Sequence, residues 1–473
     1  MIPLRHPSSF RDPAGTLFQI DDRLIRTVHG KFADQYRRIL ADPWLQGAIE
    51  SGDVVPTMEA QPPFPDLQSS GFCLEHERVP FVSYPSEWPL EMLCAAGQLT
   101  LDLALSALER NIGLKDATPL NVLFMGPRPM FVDLLSFEER DPHNAVWLAY
   151  AQFVRTFLLP ALLDSRFGIP CNTAFWSKRD GIEPEHAYAL LDPVSRFLPP
   201  FLTAVTIPVL LKGKAVKQGA SVYQPRRMSD PDKSRFIIQS TMKRLKKALR
   251  KAGERRKSEG GWVDYCATCS YDDATFAAKT ACVAGMLSAS EGLRVLDVGC
   301  NTGQFSFLAA SLGSSVVAID SDPQVVGRLW QRARDQGADV LPLVVDLAHP
   351  TPALGWRNDE QSSFLNRATG YFDTLLMLAV VHHLLVTAQI PLPEIFSLAA
   401  CLTKQDLIIE YVGPEDTQFA ILTRGREELY HSYSIEQFES ELEKHFHVLR
   451  TEQIRDTGRW IYHGRLRSLE HSF

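Results

Sequence analysis

One stretch gathers the residues best suited to hold a small ligand. In Val295-Leu-Asp-Val-Gly-Cys-Asn-Thr-Gly303 an apolar run ends in Asp297, then turns through Gly299 and Gly303 toward a helix starting near Phe305. Glycines in such a turn let the backbone approach a nucleotide-like ligand with no Cβ in the way. The next apolar run, Val316-Val-Ala-Ile-Asp320, ends in an acid 21 residues after Gly299. At that spacing a carboxylate can grip a ribose diol. A third run ends in Val344-Val-Asp346 and brings another acid to the same edge. The middle of the G-x-G-x-G spacing is Asn301, and Cys-Asn-Thr-Gly-Gln-Phe after Gly299 departs from the G-x-G-x-x-G of a dinucleotide pyrophosphate turn.

A second group could move a proton. Leu378-Ala-Val-Val-His-His-Leu384 follows a fourth apolar run. A hydroxyl is a poor nucleophile, and a neutral imidazole at His382 or His383 can take its proton as it attacks. The plain alternative is a histidine that holds a backbone group. Glu410, at the end of a fifth run, is the other candidate base.

These residues need a scaffold. Runs at Arg294–Val298, Ser315–Ile319, Val340–Val345, Phe372–Leu378 and Asp406–Tyr411 alternate with helical stretches, and two final strands are expected at His445–Glu452 and Arg459–Leu466. Strands alternating with helices predict a doubly wound, Rossmann-like α/β sheet over residues 259–473.

On these motifs the C-terminal half resembles the class I S-adenosylmethionine (SAM) methyltransferases. The resemblance implies that Gly299, Asn301 and Gly303 line the methionine end of SAM, with Asp297 beneath them. Asp320 would bind the ribose, Asp346 would face the adenine amino group, and Leu378 would also contact the cofactor. An Asn-Pro-Pro-Tyr-like motif is absent at 378–384, which argues against adenine or glutamine N-methylation. Trp262-Val-Asp-Tyr265 and Leu341-Pro-Leu-Val-Val-Asp-Leu-Ala-His-Pro-Thr-Pro-Ala-Leu-Gly-Trp356 further resemble the methyltransferases related to rhizobial host-specificity nodulation proteins. Tyr84-Pro-Ser-Glu-Trp88 and Leu114-Lys-Asp-Ala-Thr-Pro-Leu-Asn121 extend that likeness into the first half. It implies a glycan or small-molecule acceptor, and a segment with Trp262, Tyr265, Tyr271 and Lys279 closing over SAM. As plain chemistry those aromatics serve equally well as core.

In the first half, Asp116 precedes Asn121 by five positions and Phe131-Val-Asp133 follows. This resembles the catalytic segment of kinase-like phosphotransferases, with Asp133 at the metal-binding position. Leu114-Lys115 replaces the usual His-Arg or His-Gly, Leu134-Leu135 follows the acid, and no glycine-rich loop precedes residue 80. The expectation is an α+β kinase-like or accessory domain over 1–225 with little or no kinase activity. Strands are expected at Leu17–Ile20, Leu24–Val28 and Val79–Ser83, and helices at Phe32–Leu40, Glu91–Glu109 and Asn144–Leu159.

Between the halves, Pro225–Lys257 holds thirteen Lys/Arg against three Asp/Glu, a net +10 in a chain of -7, leaving -17 elsewhere. Ile238, Met242, Leu245 and Leu249 mark one apolar stripe, so 226–258 reads as a basic helical linker. Its other faces are either solvated or a surface for phosphate, RNA or an anionic glycolipid.

The 45 % hydrophobic and 22 % charged composition is that of a globular protein and excludes disorder. The overall acidity argues against a surface built for nucleic acid, though the basic segment leaves RNA open. No apolar run reaches the roughly 18–20 residues that span a bilayer, and the start lacks a signal-peptide core. Eight scattered cysteines read as reduced thiols, and Cys266-Ala-Thr-Cys269 lacks the second pair a zinc site needs. No metal site is expected, and the location expected is cytoplasmic. The activity expected is methyl transfer from SAM to an oxygen of a glycan or small molecule. The alternatives are an RNA methyltransferase, a non-catalytic SAM-binding scaffold, and a bifunctional kinase–methyltransferase.

Overall fold

The computed structural model describes residues 4–62, 72–218, 227–258, 273–287, 293–455 and 457–467. The chain forms two compact units, residues 1–260 with 354–361, and 261–353 with 362–473.

The first unit opens with an antiparallel sheet of β1 (Leu4–Arg5), β2 (Gly15–Ile20), β3 (Arg23–Val28), β4 (Thr57–Ala60) and β5 (Phe72–His76), in the order β1-β2-β3-β5-β4. The helix Gly30–Ala41 lies between β3 and β4 in the chain. After the sheet come the helix Leu90–Leu108 and two short antiparallel pairs. These are β6 (Ile112–Leu114) with β9 (Phe137–Glu139), and β7 (Val122–Met125) with β8 (Arg128–Phe131).

Three expectations for this unit are corrected. Val79–Ser83 is not a strand: the pairing segment is Phe72–His76, and Pro80 lacks the N–H a ladder needs. Helix begins at Tyr150, not Asn144, and continues to Phe167 through a π-helical stretch at Val154–Leu158. Among the described residues one helix, Leu90–Leu108, does have the length and apolarity to cross a membrane, but most of it is buried.

The basic segment is also more than a linker. It forms one helix, Pro231–Ser258, whose Ile238, Met242, Leu245 and Leu249 are buried against Leu90–Leu108 and Leu159–Phe167. The fit is close: a Cβ on Gly97 would lie 2.6 Å from Leu249 Cδ2. An apolar stripe buried this way belongs to the core it covers.

In the second unit the seven expected strands all form. They are β10 (Arg294–Val298), β11 (Ser315–Asp320), β12 (Val340–Val344), β13 (Phe372–Met377), β14 (Thr403–Val412), β15 (Phe446–Gln453) and β16 (Arg459–Leu466). Their order is β12-β11-β10-β13-β14-β16-β15. The first five are parallel, and β16 is antiparallel to both neighbours. The central strands β10, β11 and β13 are buried along almost all their length, as a parallel sheet covered on both faces requires. Strand order reverses beside β10, so the carboxyl ends of β10, β11 and β13 open on the crevice where ligands of such sheets bind.

The Leu249 packing gives a direct test. Leu249→Ala should destabilise the first unit by about 2–5 kcal/mol. Urea unfolding, with hydrogen exchange in Leu90–Leu108 as the local readout, checks it; unchanged protection there would mean that the stripe is not core.

Candidate active site

The turn after β10 is held by β11. The amides of Gly299 and Cys300 both donate to the Ile319 carbonyl, at 2.9 and 3.0 Å. The next amide, Asn301 N–H, donates to Asp320 Oδ2 at 3.0 Å. This path needs left-handed backbone at Gly299, Asn301 and Gly303, with φ of 67°, 48° and 85°. Space is as tight as the angles are unusual. A Cβ on Gly299 would meet Val380 Cγ2 at 2.4 Å, and one on Gly303 would meet Leu329 Cδ1 at 2.2 Å. The helix Gln304–Ser311 starts directly from Gly303.

Three acids end or flank these strands. Asp297 is buried in β10 and accepts from Ser306 Oγ at 2.6 Å. Burial pushes its carboxyl up to about 7. Asp320, half-buried, accepts from the Asn301 amide on one oxygen and from the Asp322 amide on the other, at 3.0 Å each. Burial raises it despite these bonds. Each oxygen retains a lone pair for a ligand hydroxyl. Asp346, past the end of β12, accepts from the Ala348 amide at 2.9 Å and lies 3.2 Å from His349 Nδ1.

Past β13, Leu378 is buried and Ala379 takes φ 56° before the chain enters the two histidines. The rings of His382 and His383 are 4.3 Å apart, centre to centre. His382 is buried, and its Nδ1 has no hydrogen-bond partner among the described residues. Burial drives its pKa down to about 3, helped by the neighbouring His383. His383 keeps exposed surface, and its pKa is lowered by partial burial while the Asp320 charge opposes the shift. Both imidazoles are therefore neutral near pH 7.

Glu410 requires correction as a candidate base. It is fully buried in β14, and its two oxygens accept from Lys279 Nζ at 2.6 Å and Arg459 Nη1 at 3.4 Å. Arg459 in turn grips Asp416 with two bonds, at 2.7 and 3.1 Å. A carboxylate enclosed between two cations has no free path to an acceptor. Lys279, from the helix Asp273–Met286, is likewise buried and turned to Glu410, so here it is a counter-ion. Trp262, Tyr265 and Tyr271 lie outside the described residues, as do Cys266 and Cys269.

Residues 296–396 match the family model described as a methyltransferase domain, over the strands that build this edge. The second unit is a SAM-dependent methyltransferase domain. The whole chain is similar to the nodulation protein NoeA of Rhizobium meliloti (strain 1021), at 29% identity over 469 residues, 97% of this chain and 96% of that protein. Over 93 residues it is 31% identical to the ubiquinone biosynthesis O-methyltransferase of Caulobacter sp. (strain K31), 20% of this chain and 31% of that enzyme. Among solved structures, the N-methyltransferase NodS from Bradyrhizobium japonicum WM9 with S-adenosyl-L-homocysteine aligns at TM-score 0.32 and 15% identity, over 46% of this chain and 98% of that one.

The methyltransferase domain thus brings Asp297, Gly299, Asn301, Gly303, Asp320, Leu378, His382 and His383 to one edge of its sheet. The sequence reading missed Ser306, Arg459 and Asp416. Ser306 was within reach, one turn into the helix after the glycines. Arg459 and Asp416 carry no local signal, because their partners are distant in sequence.

In the first unit, Arg26 Nη1 of β3 lies 2.8 Å from Asp133 Oδ1 and 3.2 Å from Asp12 Oδ2. Ser136 Oγ donates to the other Asp133 oxygen and accepts from Asn121 Nδ2 at 2.9 Å. Asp116 is half-buried, and burial raises its pKa, with the Asp133 charge adding to the shift.

Asp297 gives the methyltransferase domain a pH signature. Its folded pKa, about 7, lies above its unfolded value near 4, so the folded state holds the proton longer. Between those values rising pH disfavours folding, by up to about 1.4 kcal/mol per pH unit. Asp297→Asn should flatten that slope from about pH 4 to 7. Unfolding curves of equal pH dependence in parent and variant would refute the assignment.

Proposed function

We propose that the protein methylates an oxygen of a glycan or small-molecule acceptor. The observation that carries this reading is the neutral, exposed His383 on the edge that also holds Asp320. SAM brings an electrophilic methyl group on a sulfonium sulfur. The residues fit it: Gly299 and Gly303 let the turn follow its tight left-handed path along the sheet edge, and Asp320 has lone pairs for the ribose hydroxyls. Asp346 would hold the adenine amino group, and Leu378 would pack against the cofactor. His383 takes the acceptor's hydroxyl proton at a ring nitrogen. His382, with its buried Nδ1 and pKa of about 3, is too weak a base at neutral pH and serves by positioning. The partial similarity to an O-methyltransferase supports an oxygen acceptor.

The first unit is read as a kinase-like accessory domain that transfers no phosphate. Its Asp133 is already neutralised by Arg26 and bonded by Ser136, the contacts that support this reading. The reading places the protein in the cytoplasm.

Incubation with labelled SAM and fractionated metabolites and glycans, followed by mass spectrometry, tests the function. An oxygen-linked methyl on a sugar or small metabolite is the expected product; label on RNA alone would reject it.

Two variants test the roles. Asp320→Ala removes charge-assisted hydrogen bonds worth about 1.5–3 kcal/mol, so SAM should bind roughly ten- to hundredfold more weakly. Calorimetry showing unchanged affinity in a folded variant would refute this. His383→Ala should slow turnover by about 10²–10⁴ with SAM binding retained. The parent's rate should rise with pH through a pKa below the ordinary histidine value and then level off, and the variant should lose that limb. Near-normal turnover in His383→Ala would make the histidine structural.

A further inference from the structure

The proposed reaction leaves the surface of the longest described helix unused. Pro231–Ser258 buries one face in the first unit and turns the opposite one to solvent. There Lys243, Arg244, Lys247, Arg250 and Lys251 are all exposed. At about 1.5 Å rise per residue, these five cations occupy roughly 12 Å of one rigid, straight edge. Arg250 is paired with Glu254 at 3.4 Å. Lys243, Arg244, Lys247 and Lys251 have no ion pair among the described residues, whereas Lys246, nearer the core, is paired with Asp102.

Two turns earlier the same face changes character. Phe236 is 69% exposed and Ile237 38%. They line an open groove of about 400 Å³ with Met228, Asp230, Asp232 and Lys233. Its two acids are the anionic exception on this end of the helix, and Asp232 is paired with Arg235 at 3.5 Å.

The partner must be anionic, because this edge gathers four cations that have no ion pair among the described residues, in a chain that is strongly acidic elsewhere. A linear row of charges on a helix that cannot bend matches a flat surface. An exposed aromatic and an isoleucine at one end match an interface with an apolar layer below its charge. Single-stranded RNA would call for aromatics interleaved with the cations to stack on bases, and the cationic run contains none. We propose that this face of Pro231–Ser258 docks the protein on a membrane bearing anionic lipid headgroups. The cations lie against the headgroups, and Phe236 and Ile237 enter the interface. A peripheral site of this kind needs no spanning helix.

Co-sedimentation of the full chain with phosphatidylcholine vesicles, with and without phosphatidylglycerol, tests it. Binding should require the anionic lipid and weaken as salt is raised. Replacing Lys243, Lys247 and Lys251 by Gln should lower partitioning on the order of 100-fold, and the triple Arg replacement should restore it. Phe236→Ser should lower it roughly tenfold or more while leaving the salt dependence intact. Unchanged SAM affinity and melting temperature in each variant show that the fold is kept. Equal binding to neutral and anionic vesicles, or no binding to either, overturns the proposal. So does binding to RNA that exceeds vesicle binding at matched phosphate concentration.

Discussion

The hydrogen bond from the Asn301 amide to Asp320 is the contact on which the cofactor edge depends. It ties the turn after one strand to the acid that ends the next, so neither can move without the other. The parallel register of β10 and β11, with Val298 opposite Ile319, brings the two strand ends together. Three amides in succession then reach back to β11, a path open only to a chain that turns left-handed. Glycine meets that demand at 299 and 303. At 301 asparagine meets it differently: its side-chain Oδ1 accepts from the Thr302 amide at 2.7 Å, and asparagine tolerates left-handed backbone better than most residues. The departure from a G-x-G spacing is thus compatible with the turn, since Asn301 supplies its own local support.

A buried group of charges supports the same edge from below. Glu410, Lys279, Arg459 and Asp416 sum to zero, and each acid has at least one cation against it. Burying such a set costs desolvation that only good geometry recovers, and removing one member strands its partner. What it secures is arrangement. It links β14, β16, the helix Asp273–Met286 and the start of the helix Thr417–Thr423, all within the methyltransferase domain. It also takes the one carboxylate at the end of β14 out of contention for proton transfer. The imidazoles remain: His382 is buried and His383 exposed, and desolvation lowers the pKa of both.

How legible each part was in the sequence follows from how local its cause is. Parallel strands buried on both faces are continuous apolar runs, so the five parallel strands of the second unit could be read to within about three residues at either end, and the acids at their ends came with them. In the first unit the apolar run at Val79–Ser83 looked equally strand-like, but Pro80 breaks its ladder. The basic helix was visible as a helix, with the right stripe. That the stripe is core followed only from the partner surface around Gly97, which no spacing announces. Glu410 looked like a base because it ends a strand; the two cations that occupy it lie 131 and 49 residues away. Long-range pairing of single charges is what sequence patterns lack.

The same limit explains the first unit's polar centre. Asp116, Asn121 and Asp133 keep the spacing of a site that handles phosphate through magnesium, and on spacing alone the two readings are equivalent. Arg26 separates them. A guanidinium bonded to both Asp133 and Asp12 supplies the positive charge that a divalent ion would supply between two carboxylates, and it does so from a fixed strand. Ser136 and Asn121 complete the set, so Asp133 has a protein partner on each oxygen. Phosphoryl transfer depends on metal ions that bridge phosphate oxygens and neutralise charge as it develops. A cation built into β3 can neutralise Asp133, but it cannot travel with a nucleotide or bridge its phosphates. What the contacts do show is a tie, through Arg26, between β3 and Asp133 in the segment that follows β8.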